Sequence, residues 1–331
     1  IDLLNDYKAY KRLKEIIREF KPDIVHTHAA KAGALGRLAA ISCGVPIIYH
    51  TFHGHIFNSF YFGKLKTLFY KIIEQYLAKK STKIIAISSI QADELVNQHH
   101  IFKQEKLLIV PLGFDLQKFQ DNVSEKRNSF RKRFCIAEDE IVIAIVGRLV
   151  MIKNHTLFLR AIQQVKSKTR KKLRVMIVGD GTERKSIEDK ATELNLEFTN
   201  ADAATFKTIT FTSWIKDIDW VCAGSDIIAL TSLDEGTPVS LIEAQAANKP
   251  IVSTNVGGIE NVVIPGQTAL LSENNQVEPF AANLLELIEN DSLRKSMGEK
   301  GWEHVKNKFH FTRLVNDVKT SYQQSLAAHR K

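Results

Sequence analysis

The sequence predicts an α/β protein of two doubly wound parallel-sheet domains, and three observations carry that expectation. Short apolar runs recur along the chain, each followed by a longer stretch with helical spacing. A polar, highly charged segment without strand signal, Asp115 to Arg133, interrupts the alternation, and Ile141 starts it afresh. The length of 331 residues exceeds a typical single domain. Strands separated by helices give a parallel sheet covered on both faces, with ligands beyond the carboxyl ends of the strands. Residues 1–133 are read as the first domain, 134–310 as the second, and 311–331 as a terminal helix crossing back to the first. Two such sheets would face each other across a cleft.

In chain order, Tyr7 to Phe20 is a basic helical pattern stopped by Lys21-Pro22. Asp23 to His28 is a short buried strand, and Ala29 to Ser42 a helix in which Gly33 and Gly36 permit close packing. Ile47 to Thr51 is the next strand, with Phe52-His53-Gly54-His55 as its exit loop. The chain is mainly helical from Leu65, then strands follow at Lys83–Ser88 and Lys106–Val110. Beyond the charged segment, strands are expected at Ile141–Val146, Leu173–Val178, Thr208–Phe211, Asp226–Leu230, Ile251–Ser253 and Ala269–Leu271. Phe311 to Ala328 is a final helical stretch without a place in the second sheet.

Composition narrows the function classes. Apolar content of 44% and charged content of 25% are globular values. No apolar run reaches membrane-spanning length, and no signal peptide opens the chain. Cys43, Cys135 and Cys222 are far apart, which argues for a reducing cytosol and against a disulfide framework or a cysteine-rich metal site. The first 130 residues carry 19 Lys and Arg against 12 Asp and Glu, whereas the remainder carries 27 against 25. Without a nucleic-acid motif, that basic first part suits a membrane surface or an anionic small substrate.

The stretch that organises the chain runs from Thr231 to Glu243. A strand ends, Gly236 allows a tight turn, Thr237 can cap a helix, and Pro238 can take its first position. A helix N-terminus attracts anions through unpaired N–H groups and the positive dipole end. Glu235 and Glu243 bracket it, and eight residues of helix span roughly 12 Å, too far for a shared acid/base pair at one glycosidic bond. The pair suits instead the two ends of a long ligand with hydroxyls at its extremities and anionic charge between them, the layout of a nucleotide sugar. Gly147-Arg148 to Lys153 follows the second domain's first strand, and Gly147 allows its turn. There the Arg148 fork and the Lys153 point charge suit a diphosphate; the bland alternative has Lys153 solvated and Arg148 paired with a carboxylate.

Other groups are weaker. His53, in a glycine-containing loop, suits hydrogen bonding to a sugar hydroxyl or phosphate; no carboxylate or cysteine completes a metal site, and His50 and His55 read as strand-end or surface residues. Asp217 and Asp219 precede a helix, where acidic residues belong for dipole reasons. Gly257-Gly258 brings backbone close to the ligand or to the Glu235 loop. Phe57, Phe60, Tyr61 and Phe62 with Lys64, Lys66 and Lys71 either face a lipid interface or cap the first core.

At these residues the chain resembles the retaining glycosyltransferases of family 4, of GT-B fold. Gly147-Arg148-Leu149 with Lys153-Asn154-His155, Gly179-Asp180-Gly181, Glu235 to Ala244 and Val256 to Val263 carry the likeness. The first part, with Pro22 to His28, Lys31-Ala32-Gly33 and Thr51 to His55, looks like a bacterial surface-polysaccharide type. The resemblance implies that Arg148 and Lys153 hold the donor diphosphate, that Glu243 binds the ribose, and that Glu235, with Gly236 and Thr237, contacts the donor sugar. It further implies that His53 reaches that sugar, and that neither metal nor cofactor is needed. Retention would follow a front-face route, with the leaving phosphate helping to deprotonate the acceptor. The family's usual opening strand and glycine-rich loop are lacking, so the first domain is expected to be incomplete and truncated at its N-terminus. Ser213 and Asn248 stand where relatives carry glycine.

The function expected is therefore transfer of a sugar, UDP-linked, to a saccharide or polyprenyl-linked acceptor at the cytoplasmic face of a membrane reached through Phe57–Lys71. No nucleic acid is expected as partner. The rival readings are a nucleotide-sugar epimerase of the same architecture, a non-catalytic nucleotide-sugar-binding fragment, and a membrane-surface adaptor.

Overall fold

The computed structural model describes residues 2–54, 57, 63–203 and 205–330. His55, Phe60, Tyr61 and Phe62, named above, lie outside the described residues. Two compact units result: residues 1–113 with 311–331, and residues 114–310.

In unit 1, α1 (Leu3–Phe20) and α2 (Ala30–Ser42) alternate with β1 (Ile24–His28) and β2 (Ile47–Phe52), followed by α3 (Lys64–Lys80), β3 (Lys83–Ala86), α4 (Ser89–Asp93) and β4 (Leu107–Ile109). The four strands pair in parallel in chain order, with Ile24 opposite Ile47 and Tyr49 opposite Lys83. Strand alternation sends Ile48, Phe52, Ile84 and Ala86 towards the cores shared with α1 to α4. Ile47, Tyr49, Ile85 and Val110 face the opposite way, against Leu314, Val318, Tyr322 and Leu326 of α12 (Phe311–His329). The Tyr49 hydroxyl bonds Ser321 O at 2.9 Å and Ser325 Oγ at 2.7 Å, which fixes α12 on the sheet. Gly33 and Gly36 permit the close packing expected: an added Cβ would lie 2.4 Å from His50 Cε1 and 2.8 Å from Thr27 Cγ2.

The unit boundary falls after Gly113 rather than Arg133. Between them, α5 (Val123–Arg133) is a unit 2 helix, not a crossover. Three of its five basic residues are paired: Lys126 with Asp219 at 2.8 Å, and Arg127 and Arg131 with Asp226 at 3.1 and 2.8 Å. Its Phe130 packs where Gly224 has no side chain, a Cβ there falling 2.1 Å from the ring.

Unit 2 continues with β5 (Glu140–Val146), α6 (His155–Lys168), β6 (Lys172–Val178), α7 (Arg184–Glu193), β7 (Phe198–Asn200), β8 (Ile209–Ser213), α8 (Ile218–Gly224), β9 (Ile227–Leu230) and α9 (Val239–Ala246). It closes with β10 (Ile251–Thr254), β11 (Ala269–Ser272), α10 (Val277–Glu289) and α11 (Asp291–Lys308). The sheet order is β11-β10-β9-β5-β6-β8-β7, all parallel. β5 therefore sits between β6 and β9, and the winding reverses there. Such a switch point leaves a crevice beyond the strand ends. One apolar layer gathers Ile143, Ile145, Phe158 and Leu284; the other gathers Val142, Ala144, Leu241 and Val305.

Candidate active site

The loops leaving β5, β6, β9 and β10 are tied into one floor at that crevice. Gly147 N donates to Val178 O at 2.9 Å, and Leu149 N to Asp180 O at 2.9 Å, joining the first two. Leu233 N donates to Ile152 O at 2.8 Å and the Thr231 hydroxyl to Lys153 O at 2.9 Å, joining the first and third. Gly258 N donates to Glu235 O at 2.7 Å and the Thr254 hydroxyl to Ser232 O at 2.7 Å, joining the third and fourth.

Glycines make these approaches possible, although not all of those expected. A Cβ on Gly179, whose φ is 136°, would lie 1.9 Å from Gly147 O; on Gly181 it would lie 2.3 Å from Leu149 O. Gly257 and Gly258 would bring theirs to 2.2 Å from Glu235 O and 1.8 Å from Gly236 O, which bears out their expected closeness to the Glu235 loop. Gly147 and Gly236 are not the turn-enablers expected. Neither has a positive φ; a Cβ on Gly147 meets only the Lys153 side chain, at 3.6 Å, and one on Gly236 meets nothing within 4 Å.

On this floor Lys153 and Glu235 form an ion pair, and the Ser232 hydroxyl donates to the same Glu235 oxygen at 2.5 Å. Arg148 is exposed, its carbonyl accepting from Val150 N at 3.0 Å, and its guanidinium makes no hydrogen bond or ion pair among the described residues. The bland alternative is thus inverted: Lys153 has the carboxylate and Arg148 is open to a ligand. The start of α9 also differs from expectation. Pro238, at φ −73° and ψ 98°, is the N-cap residue, not the first helical one, and no side chain caps the helix. Thr237 is not the cap; its hydroxyl is buried without a partner among the described residues. A proline at the cap keeps its free carbonyl, which accepts from Leu241 N at 3.1 Å. Glu243, on α9, is partly buried, and burial raises its carboxyl to about 7, with Lys118 opposing and Asp219 adding to the rise. Arg148, Lys153, Glu235, Gly236, Thr237 and Glu243 are therefore all on the β5 and β9 exits and the helix that follows. Asp219 lies in the first turn of α8, where the helix dipole favours an acid, and it also pairs with Lys126.

His53 belongs to unit 1, at the exit of β2. His26 and His28, on β1, join it: the His28 and His53 rings stack with Nδ1 and Nε2 3.0 Å apart, and His26 stacks on His28. His26 Nε2 and the Thr51 hydroxyl lie 2.7 Å apart, and its Nδ1 is 2.5 Å from the Tyr322 hydroxyl. Burial lowers all three pKa values, that of His26 to about 4, with the neighbouring imidazoles adding to the effect on His26 and His53. They stay uncharged at neutral pH. These rings line a unit 1 cavity of about 530 Å³, closed on one side by Leu314 and Val318. The parallel register that sets His28 opposite Thr51 would have revealed this cluster. No group of three His, Cys, Asp or Glu among the described residues is placed to hold a metal.

The family model described as "Glycosyl transferases group 1" matches residues 126–304, and that described as "Glycosyltransferase Family 4" matches residues 2–118. The UDP-Gal:alpha-D-GlcNAc-diphosphoundecaprenol alpha-1,3-galactosyltransferase of Escherichia coli is 30% identical, over 97% of this chain and 80% of that protein. The capsular polysaccharide biosynthesis glycosyltransferase CapM of Staphylococcus aureus is 24% identical, over 98% of this chain and 83% of that protein. In fold, the chain is similar to Anabaena HepE in complex with UDP and glucose, with a TM-score of 0.80 at 19% identity, covering 96% of this chain and 81% of that one.

Proposed function

The chain belongs to the group 1 glycosyl transferases, and from that premise we propose that it moves a sugar from UDP to a lipid-linked saccharide, with retention, at the inner face of the cell membrane. The observation that carries the reading is the crevice floor: an unpaired Arg148, the Lys153–Glu235 pair and the start of α9 share the switch point between β5 and β9. A diphosphate placed there meets one guanidinium fork, one ammonium with donors left over beside Glu235, and the positive end of a helix. Glu243 takes the ribose diol, and Glu235, with Gly236 and Thr237, takes the sugar hydroxyls.

The bond between the sugar's anomeric carbon and the phosphate oxygen breaks, and the acceptor oxygen bonds the same carbon on the same face. The acceptor's proton passes to the departing phosphate. Charge therefore grows on the diphosphate, where Arg148 and Lys153 stabilise it. With two cations in place, neither metal nor cofactor has a necessary role, so a chelator is expected to leave turnover unchanged. His53 is the unit 1 residue assigned to the transfer, as an uncharged hydrogen-bonding imidazole.

The undecaprenol-linked acceptor of the Escherichia coli relative supports the acceptor class, and the UDP in the HepE complex supports the base. A thermal-shift series of nucleoside diphosphates tests the donor. UDP alone is expected to raise the melting temperature, since a ligand of the folded state stabilises it, and Arg148→Ala to abolish the shift. A shift with every base, or with none, overturns the reading.

A further inference from the structure

The imidazoles of unit 1 form an ordered stack. His26 uses both ring nitrogens on its own frame, Nδ1 2.5 Å from the Tyr322 hydroxyl of α12 and Nε2 2.7 Å from the Thr51 hydroxyl. It therefore offers His28 only a ring face, at a centroid distance of 4.4 Å. His28 in turn stacks on His53, centroids 5.2 Å apart, and its Nδ1 is 3.0 Å from His53 Nε2. Both of these rings line the cavity, and among the described residues their outer nitrogens, His28 Nε2 and His53 Nδ1, have no hydrogen-bond partner. The backbone is strained at the same place. Ala29, directly after His28, has φ 61° and ψ 164°, a region that glycine alone enters freely, and such strain persists where the surroundings over-determine the conformation.

A hydrogen bond between two neutral imidazoles constrains both. Burial lowers the pKa of each, so at neutral pH each ring has a single proton. One ring donates, the other accepts, and their outer nitrogens are then opposite in kind. If His28 Nδ1–H donates, both rings are protonated on Nδ1. If His53 Nε2–H donates, both are protonated on Nε2. The second arrangement is favoured, because the electron-withdrawing backbone lowers the basicity of the nearer nitrogen, Nδ1, and leaves the proton on the distal one. With Nε2–H spent on His28, the free nitrogen of His53 is a bare lone pair.

We propose that His28 is a positioning residue for the transfer: by accepting from His53 Nε2–H it fixes His53 as an acceptor, whose Nδ1 receives a hydrogen bond from a hydroxyl of the donor sugar. This rests on the part given to His53 in the proposed function and narrows it. A phosphate or carboxylate oxygen has no proton to give at neutral pH, so of the groups an imidazole could meet, this one selects the hydroxyl.

Isotope-labelled histidine, read by imidazole nitrogen NMR on the full chain, tests the tautomer, with His53→Asn assigning that ring. His53 is expected to show a protonated Nε2 and a bare Nδ1. His28→Asn, whose amide oxygen stands near the position of Nδ1 and still accepts, should keep that pattern. His28→Phe, which keeps a stacked ring without the acceptor, should give a mixture of both tautomers. In calorimetry, His28→Phe should weaken at least one of UDP-glucose, UDP-galactose and UDP-N-acetylglucosamine about tenfold and leave UDP unchanged, with His28→Asn restoring most of the loss. In a His53→Ala background it should have no further effect, since it acts through that ring. A bare Nε2 on His53 in the parent chain, a tautomer that His28→Phe does not alter, or no loss confined to the UDP-sugars overturns the proposal. The failures separate: a loss with His53→Ala but none with His28→Phe removes the part of His28 alone. No loss with His53→Ala removes the part of His53 and this inference with it, while the UDP thermal shift reports on the donor site independently.

Discussion

At the scale of single residues, the burial of Glu243 couples stability to pH. Its carboxyl titrates near 7 in the folded chain because burial disfavours the charged form, against an ordinary value of 4.5. A group raised in this way favours folding below its unfolded value, and that contribution is lost as pH rises through its folded value. Stability should therefore fall between about pH 4.5 and 7 on this group's account. Glu243→Gln should raise the melting temperature at pH 8, by about 3 °C or more, and leave it unchanged at pH 4. The same substitution should weaken UDP binding, and in the parent chain UDP affinity should rise with pH through about 7, where the carboxylate becomes the stronger acceptor for ribose hydroxyls. Titration with a dideoxyribose analogue, lacking both hydroxyls, should show no such rise. The place of this acid on the helix after β9 was legible because a strand, a turn and a helix can be read from residue types. Its pKa was not, since Lys118 and Asp219 reach it from distant parts of the chain. Lys153 and Glu235, separated by 82 positions, likewise meet only because β5 and β9 are neighbours.

At the scale of elements, two loops or two helices meet where a side chain is missing or a charge is matched. Gly258→Ala would press a methyl carbon into the Gly236 carbonyl, 1.8 Å away. It should disrupt the Glu235 loop, with UDP binding lost in calorimetry and a lowered melting temperature. Gly236→Ala has open space around it, so the fold should keep its melting temperature while donor affinity falls, if the ligand lies against that backbone. Between α2 and α3, Glu74→Gln would leave the fully buried Arg37 without its counter-charge. Breaking one side of such a pair costs about 3–5 kcal/mol, which denaturant titration would register. Sequence periodicity located most strands to within a residue or two, because buried parallel strands are short apolar runs. It missed β7, Phe198–Asn200, where Thr199 and Asn200 leave no apolar run to mark a strand. It also read α5 as a crossover, because the acids that neutralise its charges, Asp219 and Asp226, lie some ninety positions away.

At the scale of the whole chain, the division into units makes an asymmetric prediction about folding. Unit 2 is continuous, residues 114–310, and both apolar layers of its seven-stranded sheet are drawn from within that range. Unit 1 is discontinuous: Ile47, Tyr49, Ile85 and Val110 are covered by α12, which follows unit 2 in sequence. The fragment 114–310 is therefore expected to melt cooperatively by circular dichroism and to keep its UDP shift, because Arg148, Lys153, Glu235 and Glu243 all lie in it. The fragment 1–113 lacks the cover of Leu314, Val318, Tyr322 and Leu326. It should melt without a sharp transition and bind a dye that reports exposed apolar surface. Adding a peptide of residues 311–331 should restore part of the transition, because the Tyr49 hydroxyl then regains Ser321 and Ser325. Cooperative melting of 1–113 alone would show that α12 only decorates a sheet already stable. The covering helix would then have to be explained by what it does to the cavity beside His26, His28 and His53.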